Sequence, residues 1–162
     1  MRRAFATLVF TDAVKTAQAR HGTRGHCARI EAQEPANNRL TDDLKAYIAR
    51  LDSFVIATAN RAGWPHAQHR GGPRGFLKIL DDRTLGFADY AGNKQYITVG
   101  NIAENNPVAP LLIDYERRRR LKLWAKAEVV DGDPTLLRRL ADPEYPARVE
   151  WGDPPPLGRV GP

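Results

Sequence analysis

The chain has 162 residues, enough for one domain with a core of ordinary size. Hydrophobic residues make up 42% and charged residues 27%, which excludes a disordered chain. Lys and Arg number 25 against 19 Asp and Glu, and the resulting +6 favours an anionic partner: a phosphate-bearing small molecule, a nucleic acid or a membrane surface.

Thr11 and Asp12 predict the cap of a first helix through about Arg20, with Val14 and Ala17 on its inner face. Charge returns at Asp12 and Lys15, too early for a signal peptide. No apolar run approaches the ~18 residues of a membrane span. The single cysteine, Cys27, allows no intrachain disulfide, so a reducing, cytoplasmic setting is expected. Residues 21–38 contain two glycines, a proline and paired asparagines, and read as an irregular connection. "LTDDLKAYIARLDS" predicts a second helix. Thr41 is its cap, Asp42 and Asp43 sit in the positive first turn, and Leu44, Ile48 and Leu51 share a face.

Strands come next. "SFVIATA" is a compact apolar run, "GWP" a turn, and "HAQHR" a more polar second strand. "GFLKIL" is a third strand, and "DDRT" turns it into "TLGFADY". "NKQYITVGNIAEN" returns to helix, with Asn93 as the expected cap and Pro107 as the stop. "VAPLLIDY" and "RLKLWAKAEVV" predict two further strands. In the second, Leu121, Leu123, Ala125, Ala127 and Val129 alternate with Lys122, Trp124, Lys126 and Glu128. Asp133 caps a short helix that has Pro134 in first position and runs through Leu140. Short turns between strands predict an antiparallel sheet closed into a small barrel. "WGDPPPLGRVGP" lacks periodicity and predicts a disordered or loosely draped tail.

Two turns bear on chemistry. In "YAGNKQY" a strand ends near Tyr90, Gly92 permits a tight turn, and Lys94 adds charge to a helix N-terminus, a place where phosphate binds well. An ordinary strand-to-helix turn with a solvated lysine is the alternative. In "QHRGGP", Gly71 and Gly72 allow close approach of a flat ligand or of another chain, and Arg70 could reach an anion. A bulge between two strands is the alternative there. His66 and His69 point to opposite faces of a strand, and no zinc spacing occurs. No nucleophile signature and no acid/base carboxylate pair stand out. The run Arg117–Arg120 reads as a solvated turn, a nonspecific nucleic-acid contact or a reach toward an anionic cofactor.

The stretch from Ser53 to Asp131 resembles the pyridoxamine 5'-phosphate oxidase-like flavoproteins, on "QHRGGPRGF", "GNKQY" and "RRRLKLW" taken in order. The resemblance implies an FMN-binding split β-barrel, mainly β with flanking helices, that dimerises with FMN at the subunit interface. It implies one domain, with N-terminal helices over 1–52, the barrel core over 53–141 and an aberrant tail over 150–162. Gln68, His69, Arg70, Gly71, Gly72 and Pro73 would lie along the flavin ring and ribityl chain. Ala88, Asp89 and Tyr90 would end the neighbouring strand, and Asn93, Lys94 and Gln95 would form the phosphate turn. Arg119 and Arg120 would reach the cofactor. The C-terminal Arg-x-His of the vitamin B6 oxidases is absent, so pyridoxamine phosphate is not the expected substrate. The expectation is an FMN-dependent oxidoreductase on an unknown small molecule, homodimeric, with no metal, nucleic acid or membrane partner. A non-catalytic flavin or haem carrier on the same fold, and a basic nucleic-acid binder, are the alternatives.

Overall fold

A computed structural model describes residues 5–33, 38–142, 145 and 157–161. The chain forms two compact units, Met1–Leu40 and Thr41–Pro162.

The first unit contains α1 (Phe5–Val9), α2 (Asp12–Arg20) and α3 (Arg24–Gln33). Thr11 caps α2 as expected, its hydroxyl accepting from Val14 N. The inner face differs from the expectation, since Val14 and Ala17 are exposed. The face turned to α3 is polar. Lys15 Nζ lies 3.2 Å from Glu31, and Gln18 Oε1 accepts from Arg24 at 2.7 Å. Arg24 also pairs with Glu31. α3 itself corrects the irregular connection expected over 21–38. Gly22 takes φ +71 to end the preceding helix, and the chain winds again from Arg24.

The second unit begins with α4 (Asp42–Ile48), capped by the Thr41 hydroxyl. Then come β1 (Ser53–Ala59), β2 (Pro65–Gly71), β3 (Lys78–Ile79), β4 (Leu85–Ala88), α5 (Ile97–Glu104), β5 (Pro107–Asp114), β6 (Arg119–Lys122), β7 (Ala125–Val130), α6 (Pro134–Leu140) and β8 (Leu157–Gly161). All the described strand pairs are antiparallel, in the order β2-β1-β5-β7-β8-β4-β3, with β6 also on β5. β5 divides its length. Leu111–Asp114 pair with β6, while Pro107 and Val108 pair with β7. The sheet is therefore split, with β2 and β3 at its ends. No helix among the described residues is long and apolar enough to cross a membrane.

The single strand expected over 120–130 is two. Leu123 N donates to Pro110 O at 2.9 Å, and the chain bends at Leu123–Trp124 between β6 and β7. The third expected strand shrinks to Lys78–Ile79, because Gly72 and Gly75 tie the preceding loop to Asp52 O and Leu51 O at 2.9 and 2.8 Å. Residues 157–161 also correct the expectation of a loose tail. They form β8, hydrogen-bonded to β4 on one side and β7 on the other. Residues 150–156 of that expected tail lie outside the described residues.

Alternation sets the core. Phe54, Ile56 and Thr58 are buried on β1, opposed by Val108 and Leu112 on β5. Tyr47, with 2% exposure, sits under them, and its hydroxyl donates to Leu112 O at 3.2 Å. Full burial of Ile56 or Leu112 contributes ~1.5–3 kcal/mol each. The other face of this part of the sheet carries half-buried Val55, Ala57, Ala109, Leu111 and Ile113. Arg120 and Lys122 stand opposite Ile113 and Leu111 at its edge. α5 is fixed over the core side, where Asn101 Nδ2 donates to Thr58 Oγ1 at 2.9 Å, both residues buried. Asn105 Nδ2 donates to Ala59 O at 3.1 Å. α6 is capped by Asp133 as expected, through Thr135 N and Leu136 N.

Candidate anion and cofactor groove

Three segments converge on one open groove. β2 contributes Gln68 and Arg70, which its two-residue period turns to the side of α5. The end of β4 contributes Asp89 and Tyr90. The following turn and the first turn of α5 close the groove with Gly92, Asn93, Lys94, Tyr96, Ile97, Thr98 and Val99.

The turn is held in a special backbone state. Lys94 has φ 59 and Tyr96 φ 51, left-handed values that cost about 1–3 kcal/mol each for non-glycine residues. Asn93 Oδ1 accepts from Gln95 N at 3.1 Å, a side-chain turn that sets the reversal. Asn93 is the expected helix cap. The cap position instead belongs to Tyr96, whose side chain makes no capping hydrogen bond. The unpaired N–H groups and the positive end of the α5 dipole therefore fall where Ile97, Thr98 and Val99 line the groove.

Two polar atoms here are buried without a partner among the described residues: Thr98 Oγ1 and Arg70 Nε. Thr98 is 4% exposed. Buried polar groups are normally satisfied, so each marks a place for a ligand or water. A third such atom, His66 Nε2, lies on the same face of β2 beyond the groove. Arg70 Nη1 donates to Asp89 Oδ1, and both side chains are largely covered. Tyr90 is committed elsewhere. Its hydroxyl donates to Asp142 Oδ2 at 3.3 Å, and Lys78 Nζ holds Asp142 Oδ1 at 2.5 Å. Burial first, then the Asp142 charge, pushes the Tyr90 hydroxyl up to about 12. It offers the groove a ring, not a proton.

Of the residues singled out in the sequence, the groove collects Gln68, Arg70, Asp89, Tyr90, Asn93 and Lys94. His69 points to the opposite, exposed face of β2. Gly71, Gly72 and Pro73 are not among the lining residues. A Cβ on Gly71 would meet His69 Cε1 at 3.2 Å, and one on Gly72 would meet Phe76 Cγ at 2.7 Å. Both glycines are closely packed against neighbours within the chain. Ala88 is buried against Leu136 and Leu140 behind the groove. Gln95 hydrogen-bonds Asn93 on the exposed turn. Arg119 stacks over the Tyr47 ring at 5.0 Å and reaches Asp43 at 3.0 Å, while Arg120 is exposed on β6. Sequence reasoning missed Thr98, because it started the helix three residues early and so placed Thr98 beyond the first turn. Among the described residues no three His, Cys, Asp or Glu cluster to hold a metal.

A split antiparallel sheet with flanking helices, and a cationic turn beside its groove, defines a protein of the split-barrel class. Residues 40–157 match the family described as pyridoxamine 5'-phosphate oxidase, and the chain belongs to that family. Two of the solved structures that share the fold illustrate it. HupZ of Group A Streptococcus, in a single-residue variant, aligns with TM-score 0.55 and 17% identity over 75% of this chain and 93% of its own. A Lactobacillus delbrueckii protein, provisionally assigned as a pyridoxamine 5'-phosphate oxidase, aligns with TM-score 0.55 and 21% identity over 77% of this chain and 91% of its own. At these identities the likeness is one of fold. No curated protein matches the chain.

Proposed function

We propose that the groove binds the phosphate end of FMN and that the protein is an FMN-dependent oxidoreductase acting on a small molecule. The observation that carries this is Thr98 Oγ1, buried and unpartnered beside Lys94 and the start of α5. A phosphomonoester satisfies all three at once: oxygens for the hydroxyl, charge for the ammonium, and an anion for the helix end. When bound, the flavin supplies hydride chemistry. The chain's own part is to bind, orient and exclude water. Lys94, Thr98 and the α5 N–H groups hold the phosphate, and the Arg70–Asp89 pair and the Tyr90 ring border the rest of the ligand.

We further propose a homodimer through the sheet face of Val55, Ala57, Ala109, Leu111 and Ile113. Five half-buried apolar side chains in one register, rimmed by Arg120, Lys122 and Trp124, are better covered than exposed. Arg120 on this rim is then placed to reach a partner's cofactor, whereas Arg119 stays with Tyr47 and Asp43.

The test is the visible spectrum of the purified protein, followed by FMN titration of the apoprotein. Flavin bands and saturable quenching are expected. A protein that neither carries nor takes up flavin would sink the reading. Flavin uptake without oxidation of reduced nicotinamide or of any strong reductant would leave a carrier.

A further inference from the structure

One end of the second unit gathers cationic side chains that do not line the groove. β1 begins at that end, and its antiparallel neighbours β2 and β5 finish there. The connections over 49–52, 72–77 and 115–118 therefore lie together. Gly72 N and Gly75 N tie the second to the first, donating to Asp52 O and Leu51 O at 2.9 and 2.8 Å. The third follows β5 and is tied to α4, which leads into the first, because the Tyr47 hydroxyl donates to Arg119 O at 3.3 Å. Each connection carries an exposed arginine that makes no ion pair among the described residues: Arg50, Arg74 and Arg118.

The tip between β5 and β6 is a built turn. Asp114, 8% exposed, accepts from Arg117 N at 2.9 Å and from Arg117 Nη1 at 3.4 Å. Arg117 also holds Glu116 at 3.0 Å, and Arg119 is spent on Asp43 at 3.0 Å. Arg118 keeps φ 52, a left-handed value that glycine adopts far more readily. What this fixed turn presents outward is the Tyr115 ring, 83% exposed, beside the Arg118 charge. An acidic protein surface would use the cations and leave the ring idle. A single nucleic-acid strand uses both, since its bases stack on an open ring while its phosphates take the arginines.

We propose that this end of the molecule binds single-stranded nucleic acid, with a base stacked on Tyr115 and the backbone following Arg118, Arg50 and Arg74. The site shares no residue with the groove lining and does not depend on the flavin reading.

Fluorescence anisotropy with a labelled oligothymidylate of about 15 nucleotides tests this. Wild type should bind it at low salt. The slope of log affinity against log salt should be about −2, as three neutralised phosphates on a single strand require. Tyr115→Ala should weaken binding about tenfold, and Tyr115→Trp should restore it. Arg118→Gly suits the left-handed backbone and removes the charge, so the slope should shrink by about 0.7. Both positions are exposed, so melting temperatures should not fall. An oligouridylate of the same length should bind alike, because neither contact reads the sugar. No binding, a Tyr115→Ala variant as tight as wild type, a duplex bound as tightly as the single strand, or displacement of the oligonucleotide by FMN would each overturn the proposal. The second and third would leave an indifferent polyanion surface, and the last would put the strand in the groove. A protein that binds the oligonucleotide and never takes up flavin would defeat the flavin reading and leave this one standing.

Discussion

A Cβ on Gly72 would lie 2.7 Å from Phe76 Cγ and 2.8 Å from Phe76 Cβ, so the glycine exists for the phenylalanine. Phe76 is 1% exposed and stacks on Phe54 with ring centroids 5.7 Å apart, which leaves it nowhere to retreat. Gly72→Ala should therefore destabilise the fold by ~1–3 kcal/mol through overpacking. FMN affinity of the folded fraction should be unchanged. Thermal melting with a parallel FMN titration checks this. A selective loss of flavin at normal melting temperature would return Gly72 to the ligand site.

Lys94→Glu reverses a charge at the turn that precedes α5. FMN binding should weaken by at least ~1 kcal/mol, since an anion near a helix N-terminus is favoured and a carboxylate there repels it. The melting temperature should change little, because Lys94 is exposed. Fluorescence-quench titration is the measurement, and unchanged affinity removes Lys94 from the site.

Thr98→Val keeps the shape of the side chain and deletes its unpartnered hydroxyl. The apoprotein should be as stable or slightly more so, because a buried hydroxyl without a partner carries a desolvation cost. Ligand affinity should fall by ~0.5–1.5 kcal/mol, one hydrogen bond's net worth. Loss of apoprotein stability without loss of affinity would make the hydroxyl structural.

Tyr90 gives a pH signature. Its folded hydroxyl titrates at about 12 against 10.0 for the free group, chiefly because it is buried. The unfolded chain therefore releases this proton first as pH rises. Stability from this group is intact below pH 10 and declines from pH 10 to 12. Tyr90→Phe should flatten that part of the stability profile, measured by urea unfolding from about pH 9 to 12.

Leu111→Lys places a charge at the centre of the apolar sheet face, opposite Val55. A folded monomer in sedimentation is expected where the wild type sediments as a dimer. A wild type that is monomeric at micromolar concentration, or a variant that stays dimeric, contradicts the assembly.

Much of this fold can be read along the chain. The side chains that cap α2, α4 and α6 are Thr11, Thr41 and Asp133, each declared by its residue type and by the residues of the first helical turn. β1 shows in its apolar run. The parts that escaped are those decided by neighbours distant in sequence. Alternation from Leu121 to Val129 is real, but period alone does not say that the pairing shifts along β5 at Leu123–Trp124. β8 contains two glycines in five residues, and only the edges of β4 and β7 make it a strand. In the groove, the charged and turn-forming residues were legible because phosphate chemistry needs those types. Thr98 was not, because the left-handed Tyr96 delays the helix and nothing in the residue types announces that delay.

The place of β8 has a consequence for how the protein is made. Residues 157–161 fill a position between β7 and β4, two strands laid down well before them. Until synthesis has passed Gly161, both of those strands present open hydrogen-bonding edges, the surfaces through which nascent chains pair wrongly. The ribosome-bound chain can complete β1, β2 and β5 while its other sheet waits. The last strand to be made is thus the one that closes the edges of two made earlier.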